Sequence, residues 1–279
     1  MYQKILVATD FSESSRAALR AAISLAKSCL ASIVALHVDV ARFPAFTTHG
    51  PERLLELQQR FDAFFPTELY PKCQKEIVAA HSVSKEILGW AGRHEVDLNV
   101  LGTHGHSAVE SLLLGSVTQQ LTQDSEIPVL VVHQFPGEET NFDRVLVPTD
   151  FTEASNAALD YAVRFANFLK ADLHCVHVTD MPALEEGRTA PQSREMNVDL
   201  ALEDTVERLH VEGKVVKATL SGDPVREILR YIESEQIDWV VMGTHQRKGL
   251  ERILLGSVTA GVIAHTRVPA LTISHPRQR

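Results

Sequence analysis

The chain has 279 residues, 44% of them hydrophobic and 23% charged, a composition typical of a soluble globular protein with room for two ordinary domains. Its net charge of -9 argues against a nucleic-acid-binding surface, which needs a basic face. No run of about 18 apolar residues is present that could span a membrane. The opening MYQKILVATD enters a strand pattern at once, which leaves no room for a signal peptide. We therefore expect a cytoplasmic protein without nucleic-acid or membrane partners.

Strand-like and helix-like segments alternate along the first half of the chain. Short apolar runs predict strands at 5–8, 32–38, 75–80, 97–102 and 128–132. Apolar residues at helical spacing predict helices at 13–29, 51–65 and 84–94, and a fourth helix that begins near Gly115–Ser116. The strand runs are continuous rather than alternating, which indicates strands covered on both faces. Each half is therefore predicted to be α/β, with a doubly wound, parallel, five-stranded sheet.

The second half of the chain repeats the first. KILVATDFSESSRAAL (4–19) aligns with RVLVPTDFTEASNAAL (144–159), and LLLGSVT (112–118) aligns with ILLGSVT (253–259). The nearly constant offset predicts two whole domains in tandem, at 1–135 and 142–279, with a joint in the segment 134–143. In the second domain we expect the second helix near 198–212 and the third strand at 214–220.

The segment GTHGHSAVESLLLGS (102–116) follows the fourth predicted strand, and ligands of open parallel sheets bind beyond the carboxyl ends of strands. Gly102 and Gly105 bracket a tight loop in which glycine admits a positive φ and lets a ligand approach the backbone. Gly115 and Ser116 would open a helix whose N–H groups, dipole and hydroxyl suit a phosphate. Two such donor groups facing one gap can hold a polyphosphate; a purely structural turn is the alternative.

The KILVATDFS opening, the GTHG loop and the LLLGSV helix start resemble the universal stress protein (UspA) family in its tandem two-domain form. The resemblance covers nearly the whole chain and implies two Rossmann-like domains of the adenine-nucleotide alpha-hydrolase type, with ATP, alone or with Mg²⁺, as ligand. The family's nucleotide signature, G-x2-G-x9-G-[ST], is matched by Gly102, Gly105, Gly115 and Ser116. By the same resemblance, the adenosine lies near the ends of the first two strands and the phosphates lie against the glycine loop and the helix start. The remaining residues implied are Ala8, Thr9, Asp10 and Val38 for the adenosine, and Thr103, His104, His106, Ser107 and Val117 for the phosphates.

The second repeat departs from the signature because Gln246 replaces the second glycine. A Cβ and an amide there narrow the approach of a phosphate, and in the family a glutamine at this position resembles the branch that does not bind ATP. Arg247 follows at once and offers a cation. The other expected positions are kept, namely Pro148, Asp150, Val178, Gly243, Gly256, Ser257 and Val258. We therefore expect ATP mainly in the first repeat.

Several alternatives stay open at the level of single residues. Asp10 either accepts a hydrogen bond from a ribose hydroxyl or caps the following helix alongside Ser12. Val38 is either a purine contact or ordinary strand core. The histidines lack a recognised metal-ligand spacing, although adventitious zinc at His104 and His106 stays open. The first repeat also lacks the family-like Gly-Asp-Pro turn that the second repeat has at 222–224.

Function and assembly also have alternatives. The chain has no G-x-S-x-G elbow and no P-loop, so dedicated catalysis is not indicated. The resemblance implies a nucleotide-responsive stress-tolerance regulator; a nucleotide-free scaffold and a slow ATP hydrolase are the alternatives. The last strands of the repeats, at 127–133 and 268–274, are apolar edges that should not stay exposed. In the family such strands pair across a dimer, which implies an intramolecular pseudo-dimer here and is compatible with a homodimer.

Overall fold

The structure is a computed structural model that describes residues 1–40, 51–65, 70, 72–103, 114–133, 142–179, 200–204, 206, 210–244 and 255–274. The chain divides into two compact units, Met1–Thr140 and Asn141–Arg279. Each unit has an α/β fold with a parallel sheet, as the sequence predicts.

The described residues of the first unit form alternating strands and helices. In chain order these are β1 (Lys4–Ala8), α1 (Glu13–Cys29), β2 (Ser32–Val40), α2 (Pro51–Phe64), β3 (Cys73–Ala80), α3 (Val83–Arg93), β4 (Leu98–Gly102), α4 (Ser116–Asp124) and β5 (Val129–Val132). All pairings in its sheet are parallel, in the order β3-β2-β1-β4-β5. The predicted elements are confirmed, and each predicted end lies within about two residues of the observed one.

The second unit repeats this architecture. Its elements are β6 (Arg144–Pro148), α5 (Glu153–Leu169), β7 (Asp172–Thr179), β8 (Val215–Ser221), α6 (Pro224–Ser234), β9 (Trp239–Thr244), α7 (Ser257–His265) and β10 (Ala270–Ser274). Residues 200–204 and 206 are helical, inside the predicted range 198–212. Its parallel sheet has the order β8-β7-β6-β9-β10.

The core of each unit explains the continuous apolar strands. Three successive residues of β1, Ile5, Leu6 and Val7, are all fully buried, which requires cover on both faces of the sheet. One cover is α1, whose buried face is rich in alanine and lets the helix lie close to the strands. The same pattern recurs at 145–147 and on α5.

The order of the strands places a crevice in each unit. From β1 the chain moves outward through β2 to β3 and then crosses to β4 on the other side of β1. Ligands of open α/β sheets bind beyond the carboxyl ends of the strands at such a reversal, which in the first unit lies between β1 and β4. In the second unit the reversal lies between β6 and β9.

The Gly-Asp-Pro segment of the second unit is a helix start. Gly222 has a φ of 143°, Asp223 accepts a hydrogen bond of 2.9 Å from the Arg226 N–H, and Pro224 is the first residue of α6. In the first unit Ser82 occupies the N-cap of α3, and its side chain makes no capping hydrogen bond. The two repeats thus begin the same helix with different chemistry.

We expect Asp223→Ala to lower the free energy of unfolding of the second unit by about 1 kcal/mol, because it removes the cap of α6. Ser82→Ala is the matched control and should change the first unit much less. Each unit holds one of the two tryptophans, Trp90 and Trp239, so fluorine NMR of fluorotryptophan-labelled protein in urea follows each unit separately. Equal losses in the two variants would contradict the assignment of Asp223 as the cap.

Candidate functional site

A cavity of about 250 Å³ lies at the switch point of the second sheet. The ends of three strands, β6, β7 and β9, form its floor, and the first turns of α6 and α7 form its sides. Its volume is near the lower end of the range for small-molecule sites. The lining residues are Pro148, Thr149, Asp150, Ser155, Val176, Val178, Pro224, Ile228, Met242, Gly243, Gly256, Ser257, Val258 and Thr259.

The structure brings together in this cavity seven of the eight residues predicted for the second repeat. These are Pro148, Asp150, Val178, Gly243, Gly256, Ser257 and Val258. The eighth, Arg247, lies outside the described residues, as does Gln246. Residues that sequence reasoning missed include Met242 and Ile228, which give the cavity an apolar wall. A signal for both was available in the sequence. Met242 directly precedes Gly243 on β9, and Ile228 lies on α6, the helix that begins at the Gly-Asp-Pro turn.

The lining is chemically divided. Val176, Val178, Ile228 and Met242 offer apolar surface, whereas Asp150 and Ser257 offer a carboxylate and a hydroxyl. The hydroxyls of Thr149, Ser155 and Thr259 also line the cavity but are hydrogen-bonded within the unit. Asp150 and Ser257 are exposed, so the polar part opens to solvent. Such a division suits a ligand with a flat apolar ring at one end and a polar or charged group at the other.

The start of α7 supplies donors to the cavity. Its N-cap is Gly256, which cannot cap with a side chain, and the corresponding N-cap of α4 is Gly115. Among the described residues, neither helix start has a side-chain cap, and its first amides carry the positive end of the helix dipole. This confirms the predicted helix starts, and their geometry suits an anion.

Two threonines that were not predicted fix these helix starts. The Thr118 hydroxyl donates to the Gly102 carbonyl at 2.8 Å, and the Thr259 hydroxyl donates to the Gly243 carbonyl at 3.0 Å. Each bond ties the first turn of a helix to the end of the strand before it. The distance between strand end and helix start is thereby set in the same way in both repeats.

Gly102 and Gly243 lie against the backbone of a neighbouring helix, which leaves no space for a side chain. A Cβ on Gly102 would lie 2.6 Å from the carbonyl carbon of Ser14, and a Cβ on Gly243 would overlap the carbonyl of Ala154. Neither glycine has a positive φ, so the expectation of a positive φ at Gly102 is wrong. The missing side chain allows the first turn of α1 or α5 to pack against the strand.

Asp10 and Asp150 support the turn from strand to helix. Ser12 is the N-cap of α1, and the Asp10 carboxylate accepts the Ser12 N–H at 3.0 Å. In the second unit Asp150 accepts from both the N–H and the hydroxyl of Thr152, at 3.1 and 2.6 Å. The cap itself is therefore Ser12 or Thr152, and the aspartate orients the cap residue.

The other predicted residues of the first repeat occupy the same places in their own unit. Ala8 ends β1 and Thr9 follows it, Val38 lies near the end of β2, and Ser116 and Val117 begin α4. His104, Gly105, His106 and Ser107 lie outside the described residues.

The Thr103 side chain supports the fold, and the phosphate contact expected at this residue stays a prediction. Its side chain is 1% exposed and its hydroxyl bonds the His133 ring at 2.9 Å, so the hydroxyl is not presented to a ligand. Its carbonyl accepts the Gly115 N–H at 2.9 Å, which places Thr103 as a support of the helix start.

His37 and His177 lie at equivalent positions near the ends of β2 and β7. Each ring bonds a backbone carbonyl of the loop after the first strand of its unit, that of Thr9 at 2.8 Å or Thr149 at 2.7 Å. Burial lowers the pKa of His37, so its ring is neutral near pH 7.

Burial also keeps two of the free cysteines protonated. It raises the pKa of Cys73 to about 11 and that of Cys175 to about 12, so neither thiol is a nucleophile near neutral pH. Within the described ranges, no three histidine, cysteine, aspartate or glutamate side chains gather as a metal-ligand set. None of the helices described is both long and apolar enough to cross a bilayer.

Comparison with known proteins identifies relatives for the whole chain. The sequence model of the universal stress protein family matches residues 1–133 and 141–274. A universal stress protein of Mycolicibacterium smegmatis is 27% identical over 96% of this chain and 96% of its own length. One from Methanocaldococcus jannaschii is 31% identical over 50% of this chain and 86% of its own length. The crystal structure of a universal stress protein from Archaeoglobus fulgidus has the same fold, with a TM-score of 0.70 at 23% identity and 98% coverage of both chains.

We expect Gly102→Ala to lower the free energy of unfolding of the first unit by roughly 1–3 kcal/mol, because the new Cβ meets the Ser14 backbone. Gly92→Ala is the matched control in the same unit. Gly92 lies in α3 with no atom within 4 Å of the added Cβ, so this change should stabilise the helix by up to about 1 kcal/mol. The Trp90 fluorine signal in urea measures both; a Gly102→Ala variant as stable as wild type would contradict the packing role.

Proposed function

The chain belongs to the universal stress protein family, and we propose that it is a cytoplasmic tandem member that binds ATP mainly in its first repeat. We further propose that it acts as a nucleotide-responsive regulator of stress tolerance. The stress role follows from the family resemblance. The nucleotide role is carried by one observation above all, the divided cavity at the switch point of the second unit, into which an uncapped helix start projects.

The apolar part of this cavity suits the adenine ring. Val178, Ile228 and Met242 can contact the faces of a flat base, and Asp150 at the end of β6 can accept hydrogen bonds from ribose hydroxyls. The equivalent positions in the first repeat are Val38, Ile87, Leu101 and Asp10. Because both units have the same strand order and both α4 and α7 start after a glycine N-cap, the same subsites are proposed for the first repeat.

The helix start suits the phosphates. The first turn of α4 presents backbone amides and the exposed Ser116 hydroxyl, with no side-chain cap to compete. The first repeat also keeps all four positions of the G-x2-G-x9-G-[ST] pattern, whereas Gln246 replaces a glycine in the second. We therefore assign the polyphosphate mainly to the first repeat, with Mg²⁺ as an optional partner of the phosphates. The second repeat keeps a cavity for the nucleoside end.

This proposal predicts different effects for two exchanges of the same position. Gly105→Gln copies the second repeat's residue into the first and should weaken ATP binding by about tenfold or more, since a side chain then narrows the phosphate approach. Gln246→Gly makes the reverse change and should raise the number of ATP molecules bound per chain. Isothermal titration calorimetry measures both affinity and stoichiometry.

Chromatography of small molecules released from the denatured, purified protein identifies the natural occupant. Recovery of an adenine nucleotide would support the proposal. No released nucleotide together with no heat on addition of ATP would overturn it in favour of a nucleotide-free scaffold. Unchanged affinity in Gly105→Gln would overturn the assignment to the first repeat. ATP turnover lost in the same variant would indicate a hydrolase instead of a regulator that only binds.

A further inference from the structure

The same histidine contact occurs in both units. The Nδ1 atom of His37 lies 2.8 Å from the Thr9 carbonyl oxygen, and the Nδ1 atom of His177 lies 2.7 Å from that of Thr149. A carbonyl oxygen only accepts hydrogen bonds, so Nδ1 must carry the proton in each ring. When uncharged, each ring is therefore the Nδ1–H tautomer.

His37 binds the Thr9 carbonyl, which would be the next acceptor if the hydrogen-bond ladder between β1 and β2 continued beyond its last pair. Alternate residues of β2 direct their amides to opposite neighbours: the Ser32 N–H binds Gln3 on the β1 side, and the Ile33 N–H binds Lys72 on the β3 side. By this alternation the Val38 amide faces the β1 side. The paired residues, however, end at Ala8 and Leu36, and the last bond runs from the Thr9 N–H to the Leu36 carbonyl.

The second unit ends its ladder in the same way. The Asp172 N–H binds on the β6 side and the Leu173 N–H on the β8 side, so the Val178 amide faces β6. The pairing ends at Pro148 and Val176, followed by the bond from the Thr149 N–H to the Val176 carbonyl. Val178 is the next residue of β7 whose amide faces β6, two residues after Val176, and it lines the cavity.

An aromatic contact holds each histidine ring in place. Phe11 has a φ of 67° and its ring lies 4.5 Å from that of His37; Phe151 has a φ of 62° and lies 4.8 Å from His177. A left-handed conformation is unfavourable for phenylalanine and persists only where the surroundings hold it. The threonine hydroxyls do so by accepting the Phe11 and Phe151 N–H groups, at 2.9 and 3.1 Å.

We propose that His37 and His177 are positioning residues that end the strand ladder and leave the backbone of Val38 and Val178 to the ligand. Each ring binds the carbonyl that would otherwise accept the valine N–H. The valine N–H and carbonyl are then left to the purine edge that the family resemblance already assigns to Val38. This inference rests on the proposed nucleotide function.

Three substitutions of His37 separate the role of Nδ1 from that of the ring as a whole. Asn places its amide nitrogen near the position of Nδ1, Gln places it near Nε2, and Leu has no donor. We expect His37→Asn to bind ATP within about threefold of wild type, and His37→Gln and His37→Leu to bind about tenfold more weakly, as for one lost hydrogen bond. Inorganic tripolyphosphate, which lacks a base, should bind all four proteins equally.

The matched control is His94→Leu. His94 also binds a backbone carbonyl through Nδ1, that of Trp90 at 2.8 Å, but it lies beside Lys4 at the amino end of β1, away from the crevice. This variant should bind ATP as wild type does. If His94→Leu and His37→Leu weaken the binding of ATP equally, His37 acts only on folding and the inference is overturned. The same conclusion follows if the His37 variants lose affinity for tripolyphosphate in parallel with their affinity for ATP.

A measurement without nucleotide distinguishes failure of the inference from failure of the proposed function. Nitrogen NMR of histidine-labelled protein reports the tautomer of each ring, and the His37→Asn and His177→Asn spectra assign the two signals. Both rings should be Nδ1–H in the unliganded protein, and an Nε2–H tautomer at either would overturn the inference. Wild type that shows the expected tautomers but binds no ATP would instead refute the proposed function and the assignment of the valine edge to adenine.

Discussion

The turn from the first strand into the first helix is the constraint on which the rest of each unit depends. In the first unit, the Thr9 hydroxyl contacts the Ser15 hydroxyl at 3.1 Å and accepts the Phe11 N–H, and the Thr9 carbonyl is bonded by His37. Thr149 makes the same three contacts in the second unit. Because this turn fixes where the helix begins, it also fixes how close the helix comes to the fourth strand, and that approach requires glycine at 102 and 243. In the second unit the cavity lies between this turn and the first residues of α7.

The two units keep this edge of the sheet while their helix packing differs. Between α3 and α4 the Ser84 hydroxyl donates to the Gln120 side chain at 2.6 Å, whereas a Cβ on Gly261 of α7 would lie 2.7 Å from Val225 of α6. A polar contact in one unit is thus replaced by close apolar packing in the other. A fold tolerates such exchanges wherever volume and hydrogen bonding are balanced locally. The strand ends have less freedom, because several backbone groups converge there and each needs a partner.

Much of the site could be predicted because its residues follow strands directly. The positions that the sequence selected at the carboxyl ends of β6, β7 and β9 do line one cavity, as the geometry of a parallel sheet requires. The roles of individual residues were less predictable. The Thr103 hydroxyl contacts His133, thirty residues away, and Thr118 was not singled out although its hydroxyl binds the Gly102 carbonyl. Such contacts join residues that the sequence pattern does not relate to each other.

The sequence by itself determined the duplication, the order of strands and helices, the parallel sheets and the segments that border the crevice. These follow from apolar periodicity and from repetition, which are local properties of the chain. Only the tertiary structure showed that a side chain at position 102 would collide with the Ser14 backbone. It also showed which residue caps α1, and that His37 and His177 bind the loop carbonyls. Each of these depends on the distance between groups brought together by folding, and residues such as Ser14 and Gly102 meet only once the helix lies on the sheet.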